Sequence, residues 1–230
     1  MNVDQAEIGK FDALAARWWD PEGEFKPLHD INPVRLNYLM EHCDIRSRPV
    51  VDVGCGGGIL AESLAREGAT VTGIDMAESP LAVARLHAED SGVQVEYLAT
   101  TAEDLAAERA GTFGTVACLE MLEHVPDYAS TVKACADLAA PDGKLVFSTI
   151  NRNPKAYLLA ILGAEYVLGL LPRGTHDYDK FIRPAELAAA VRAAGLTVKE
   201  IIGMRYNPFT RQCSLTPDVD VNYMLYAEKS

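Results

Sequence analysis

Glu120, Glu123 and His124, in the stretch CLEMLEHVPD, are the residues best suited to do chemistry in this chain. Their separations of three and four positions put two carboxylates and an imidazole on one face if the turn is helical. Such a set can hold a divalent cation, Mg²⁺ or a similar ion, which acidifies a coordinated oxygen. Alternatively, His124 can take up a proton itself as a general base. A third reading leaves the acids solvated and has His124 cap or orient the loop.

A second constellation lies earlier, in VVDVGCGGG. A β-rich run, Val50 to Val53, leads straight into Gly54, Cys55, Gly56, Gly57 and Gly58, and a helical pattern opens at Ile59 or Leu60. Glycines there let the backbone turn sharply and approach a ligand closely. A dinucleotide fingerprint would need its third glycine at position 59, which is Ile59. The spacing is instead G-x-G-x-G, with Asp52 just before it. Asp75 follows 21 residues after Gly54, at the end of TVTGID. A carboxylate there can accept both hydroxyls of a ribose, or it can cap the next helix. Loop and acid together point to an adenosine-containing ligand. The loop pattern resembles motif I of the class I S-adenosylmethionine-dependent methyltransferases. Adenine would then meet the chain after the third strand. Many such enzymes carry Asp where this chain has Thr100 or Thr101, which leaves the backbone near Ala102 to make the contact. Leu119, at the end of the fourth strand, can wall the same crevice or belong to the core.

The elements that must position these residues follow from hydropathy patterning. β-rich runs at Val50–Val53, Thr70–Ile74, Val95–Leu98, Thr115–Leu119 and Lys144–Ile150 alternate with helical stretches at Leu60–Glu67, Pro80–Asp90, Leu105–Arg109 and Tyr128–Ala139. That order demands parallel strands joined by crossovers. A further helix, Pro184–Ala194, and two runs, Thr197–Ile202 and Val221–Ala227, suggest an antiparallel pair at one edge. The expected fold is an α/β, Rossmann-like doubly wound sheet of seven mostly parallel strands, with one antiparallel edge strand and helices on both faces. Before it, Ile8, Phe11, Leu14, Ala15 and Trp18 recur at helical spacing. Prolines 21, 27 and 33 then mark a loop, and a second helix is expected over Val34–Glu41.

Composition narrows the function. The 230 residues are 49% hydrophobic and 23% charged, which excludes a disordered chain. A net charge of −12 argues against nucleic acid as a partner. The five cysteines form no C-x-x-C pair, so neither a zinc ribbon nor a disulfide framework is expected, and a reducing compartment fits. No signal peptide is visible at the N-terminus. The most apolar stretch, Ala156 to Leu171, is broken by Gly163, Glu165 and Gly169, so it is not expected to span a membrane.

Along nearly its whole length the chain resembles the ubiquinone-biosynthesis O-methyltransferase family. The matching stretches are RWWDPEGEFKPLHDINPVRLNY, VVDVGCGGGILAESLAREGATVTGID, EMLEHVPD, STINRN, GAEY, GTHDYDKFI and NPF…VDVNYML. The resemblance implies methyl transfer from S-adenosylmethionine to hydroxyls of polyprenylated catechol or hydroquinone intermediates, of the 2-polyprenyl-6-hydroxyphenol and 3-demethylubiquinol types, at two pathway steps. By match, Arg35, Gly54, Asp75 and Leu119 would contact the cofactor, Gly56 being part of the same loop. Arg35 suits a methionine carboxylate, because guanidinium and carboxylate pair as a fork. The resemblance also favours a cation at Glu120, Glu123 and His124. Phenols titrate near ~10, so their oxygen needs such activation before it can attack a methyl group.

One domain over 1–230 is expected. Residues 1–48 would form a helical cover, 49–150 the cofactor-binding core, 151–183 an apolar insertion, and 184–230 a closing helix and strand pair. Apolar residues ring the whole helical circumference of the insertion, the pattern of a buried or lipid-inserted segment. Lys155 and Arg173 flank it, so 155–173 is expected to dock on an anionic membrane surface or to pack as a lid. The expected location is cytoplasmic, peripheral to the inner membrane, with other enzymes of ubiquinone biosynthesis as candidate partners. Two alternatives stay open: a quinone C-methyltransferase, and a non-catalytic cofactor-binding scaffold.

Overall fold

The computed structural model describes residues 2–156 and 178–230. The expected docking element beyond Ala156, with Arg173, lies outside the described residues. An eight-stranded sheet runs in the order β3-β2-β1-β4-β5-β8-β6-β7. Strands β1 (Val50–Val53), β2 (Val71–Asp75), β3 (Val95–Ala99), β4 (Phe113–Leu119) and β5 (Ala139–Ile150) are mutually parallel. β8 (Asn222–Lys229) inserts antiparallel between β5 and β6 (Leu196–Asn207). The edge is β7 (Gln212–Thr216), antiparallel to β6.

Eight strands therefore stand where the sequence predicts seven. QCSLT pairs as a strand although most of it is exposed, so no apolar alternation announces it. The antiparallel pair is found, but its second member, β8, is internal and β7 takes the edge.

Side chains alternate across the sheet as the pleat requires. Val51, Val53, Val116, Cys118 and Phe147 enter one core with Leu105 of α5 (Ala102–Arg109), Val132 of α6 (Tyr128–Leu138) and Leu187 of α8 (Pro184–Ala193). Val50, Ala117, Leu119 and Val146 enter the other. Its helical residues are Leu39 of α2 (Lys26–His42), Leu64 of α3 (Ile59–Arg66) and Leu81 of α4 (Glu78–Ser91). Helices thus cover both faces. A single turn, α7 (Pro154–Ala156), follows β5. Next to it, Lys155 sits 2.9 Å from Asp218 and 3.0 Å from Asp220, so the flank expected to meet anionic headgroups is already ion-paired.

The N-terminal segment begins with α1 (Gln5–Leu14), capped by Asp4, and continues as a 3₁₀ turn over Ala15–Arg17. α2 starts at Lys26, eight residues before the predicted Val34. Pro27 sits in its first turn, where no N–H is required, and Pro33 is carried inside the helix. The buried residues Ile31, Arg35, Tyr38 and Leu39 hold that helix against the body and override the proline signal.

Candidate active site

The strand order reverses between β1 and β4, and the carboxyl ends of these two strands open onto one cavity. Arg35, Gly54, Gly56, Asp75, Ala102, Leu119, Glu120 and His124 all line it. Glu123 does not.

β1 delivers the glycine loop. Gly54 and Gly56 have φ of 75° and 52°, a region costly for other residues. A side chain at Gly54 would collide with Met121, and one at Gly56 with the ring of Trp18. Trp18 is buried against Phe25 at 3.9 Å between ring centroids, and Trp19 donates its indole N–H to the Gly57 carbonyl at 2.9 Å. The tryptophan pair thus clasps the loop from outside.

Asp75, at the end of β2, accepts from the Gly56 amide at 2.9 Å and from the Ala77 amide at 2.8 Å. Burial pushes its carboxyl up, against the lowering effect of these amides. Asp52, almost fully buried on β1, is pushed up to about 7 by burial. Arg35 of α2 is buried beside them; its Nη2 lies 2.8 Å from Glu120 Oε1, and its Nε has no hydrogen-bond partner among the described residues. Thr101 caps α5 through the Asp104 amide at 3.0 Å, which leaves Ala102 to present the first turn of that helix to the cavity.

The three acid-base residues after β4 diverge. Glu120 adopts φ of 53°, a strained conformation for a residue with a side chain. It is held by Ser148 Oγ at 2.6 Å and by the Asn222 amide at 3.0 and 3.1 Å, in addition to Arg35. Glu123 turns away into the core, where it accepts from Thr149 Oγ1 at 2.7 Å while Oε1 has no hydrogen-bond partner among the described residues. Burial, reinforced by the neighbouring Glu120, pushes its carboxyl up. His124 Nδ1 sits 2.9 Å from Glu7 Oε2, and Phe11 packs edge-on against its ring at 5.1 Å. Burial lowers the His124 imidazole, but the hydrogen bond to Glu7 and the charge of Glu123 outweigh it, and the net shift is upward.

A methyltransferase-domain family matches residues 28–201. A ubiquinone biosynthesis O-methyltransferase of Pseudomonas fluorescens is 64% identical over 224 residues, 97% of each chain. One from Stutzerimonas stutzeri is 62% identical over 228 residues, covering 99% of this chain and 98% of that one. The chain belongs to the ubiquinone biosynthesis O-methyltransferase family. Among solved structures, a magnesium protoporphyrin IX methyltransferase from Synechocystis with bound S-adenosylhomocysteine aligns with a TM-score of 0.67 at 21% identity, over 90% of this chain and 85% of that one. A Thermotoga maritima S-adenosylmethionine-dependent methyltransferase, a possible histamine N-methyltransferase, gives 0.69 at 16%, over 99% and 100%. Both share the Rossmann-like class I methyltransferase fold, and this chain is an O-methyltransferase built on it.

In this methyltransferase the expected cation at Glu120, Glu123 and His124 does not fit the donor set. Each side chain is committed to a different partner, and Glu123 faces away from the cavity. Among the described residues no group of three or more His, Cys, Asp or Glu side chains is placed to hold a metal ion. The physical reason is the turn itself: only Leu122–His124 is helical, and as a 3₁₀ turn, so spacings of three and four do not share a face with Glu120. Cavity residues that the sequence did not announce are Glu7, Phe11 and Trp18 of the cover and Asp52 of β1. For Glu7 a signal exists: it falls on the same helical face as Phe11 and Leu14, a charge within an apolar stripe.

Proposed function

We propose that this enzyme transfers a methyl group from S-adenosylmethionine to hydroxyls of polyprenylated catechol and hydroquinone intermediates, at two steps of ubiquinone biosynthesis. One observation carries the reading: His124, able to accept a proton, lines the same cavity as the glycine loop, Asp75 and the buried guanidinium of Arg35. S-adenosylmethionine, when bound, would supply a methyl on a sulfonium, whose C–S bond breaks as an oxygen attacks the methyl carbon, neutral S-adenosylhomocysteine being the leaving group. Gly54 and Gly56 allow the donor to approach the backbone, Asp75 accepts its ribose hydroxyls, and Ala102 and Leu119 enclose its adenine. The Nε of Arg35, without a hydrogen-bond partner among the described residues, is available to its carboxylate. His124 takes the hydroxyl proton as the oxygen–methyl bond forms. Glu120, tied to Arg35, Ser148 and Asn222, and Glu123, held by Thr149 behind the turn, keep the loop in place.

The same reading assigns 155–173 to reversible attachment at an anionic membrane surface, where a long-tailed substrate resides, on the cytoplasmic side of the inner membrane. Other enzymes of the pathway are its candidate partners. Support comes from the apolar sequence of 156–171. Among the described residues no helix is long and apolar enough to cross a membrane.

Methyl-labelled donor and a short-tailed catechol test the assignment. Label on a catechol oxygen, with turnover persisting in chelator, is the expected result. Label on ring carbon would make the enzyme a C-methyltransferase, and no transfer at all would leave a scaffold. Turnover lost in chelator and restored by Mg²⁺ would hand the proton-accepting step to a metal and overturn the role of His124.

A further inference from the structure

Glu7 is a buried carboxylate carried by the N-terminal helix, 117 positions away from the histidine that it touches. Its Oε2 meets His124 Nδ1, and its Oε1 lies 3.0 Å from Lys10 Nζ and 3.3 Å from Lys180 Nζ. Lys180 also meets Asp4, the cap of α1, at 2.9 Å. Asn2 fastens the same end of the helix by donating to the Asp127 carbonyl at 2.7 Å. A carboxylate so held is acceptor-only. In a neutral imidazole facing it, Nδ1 must therefore carry the hydrogen, and the lone pair falls on Nε2. The edge-on ring of Phe11 fixes the plane of the imidazole.

We propose that Glu7 is the positioning residue of His124, setting its tautomer and ring orientation, so that the proton acceptor is complete only while α1 is docked over the cleft. This rests on His124 being the proton acceptor. The cover then does two things at once: it closes the donor cavity, of which Glu7, Phe11 and Trp18 form walls, and it finishes the reacting site. Substrate hydroxyls meet a competent base only in the closed enzyme.

Steady-state kinetics of the full chain, with S-adenosylmethionine and a short-tailed catechol, test this. Glu7→Leu is expected to lower kcat roughly 10- to 100-fold, with KM for the donor moving less than about threefold, because an orienting partner is lost and a binding group is not. Glu7→Gln, whose amide oxygen still accepts from Nδ1, is expected to recover most of kcat. In a His124→Ala background, Glu7→Leu should cost nothing further. Equal losses for Glu7→Leu and Glu7→Gln, or the full loss repeated in the His124→Ala background, would overturn the proposal and leave Glu7 a structural residue. Should Glu7→Leu fail to fold, Glu7→Ala carries the same comparison. Undiminished kcat in His124→Ala would instead sink the proton-acceptor reading itself, whatever Glu7 does.

Discussion

Asp75 is held by two backbone amides, at 2.9 and 2.8 Å, and this geometry aims its carboxylate before any ligand arrives. Asp75→Ala is expected to weaken S-adenosylmethionine binding by about 1–3 kcal/mol, the scale of hydrogen bonds to a charged group. Isothermal calorimetry checks this; unchanged affinity would remove Asp75 from the binding set. The residues expected to meet the donor come to one cavity because each sits at a fixed chain distance from a strand end, where local geometry decides what it can touch. Gly54, Gly56 and Asp75 are such residues. In the acid-base cluster, adjacency in sequence is not adjacency in space. Glu120 leaves the helical path at φ 53°, and three neighbours part company within one turn. For Glu7 the local pattern shows only a charge within an apolar stripe; its partner, His124, lies 117 positions along the chain, beyond the reach of local spacing.

At the scale of elements, α1 is tied to the body by charge as well as by the packing of Phe11 and Leu14. Burial alone would raise the Glu7 carboxyl, yet the hydrogen bonds from His124 and Lys10 outweigh it and bring it down to about 2. A carboxyl depressed from the ordinary glutamate value of 4.5 contributes stability that is fully present above about 4.5 and is lost as the pH falls toward 2. Wild type should therefore melt above Glu7→Gln near neutrality, and the gap should narrow on acidification through that window. A gap that stays constant across it would mean that Glu7 carries no such linkage. The parallel strands were predictable because each is a short buried run between helical patterns. β7 was not, being an exposed edge strand. The early start of α2 was hidden by its prolines, whose cost tertiary packing outweighs.

For the molecule as a whole, a net charge of −12 has to be reconciled with an anionic surface. Three of the described basic residues around the insertion are already matched: Lys155 by Asp218 and Asp220, Arg152 by Glu186, and Lys180 by Asp4 and Glu7. The proposed attachment would then come mainly from apolar burial, at about 25 cal/mol per Å². Co-sedimentation with anionic vesicles should change little between ~50 and ~300 mM salt, a range in which exposed charges are progressively screened. Leu170 and Leu171 changed to polar residues should abolish it. A pellet that dissolves with salt would restore the electrostatic account, and a wild-type chain that never pellets would end the membrane reading.

The clasp on the glycine loop has a consequence of another kind. Trp18 and Trp19 are the only two tryptophans in the chain, and both rest on that loop. Trp19 stacks face to face on His87 at 3.5 Å, while Trp18 forms a wall of the donor cavity. All of the indole fluorescence of this protein therefore originates at the closure itself. The enzyme carries a built-in optical reporter, through which the proposed docking of α1 and binding of the donor would be followed in real time without any label.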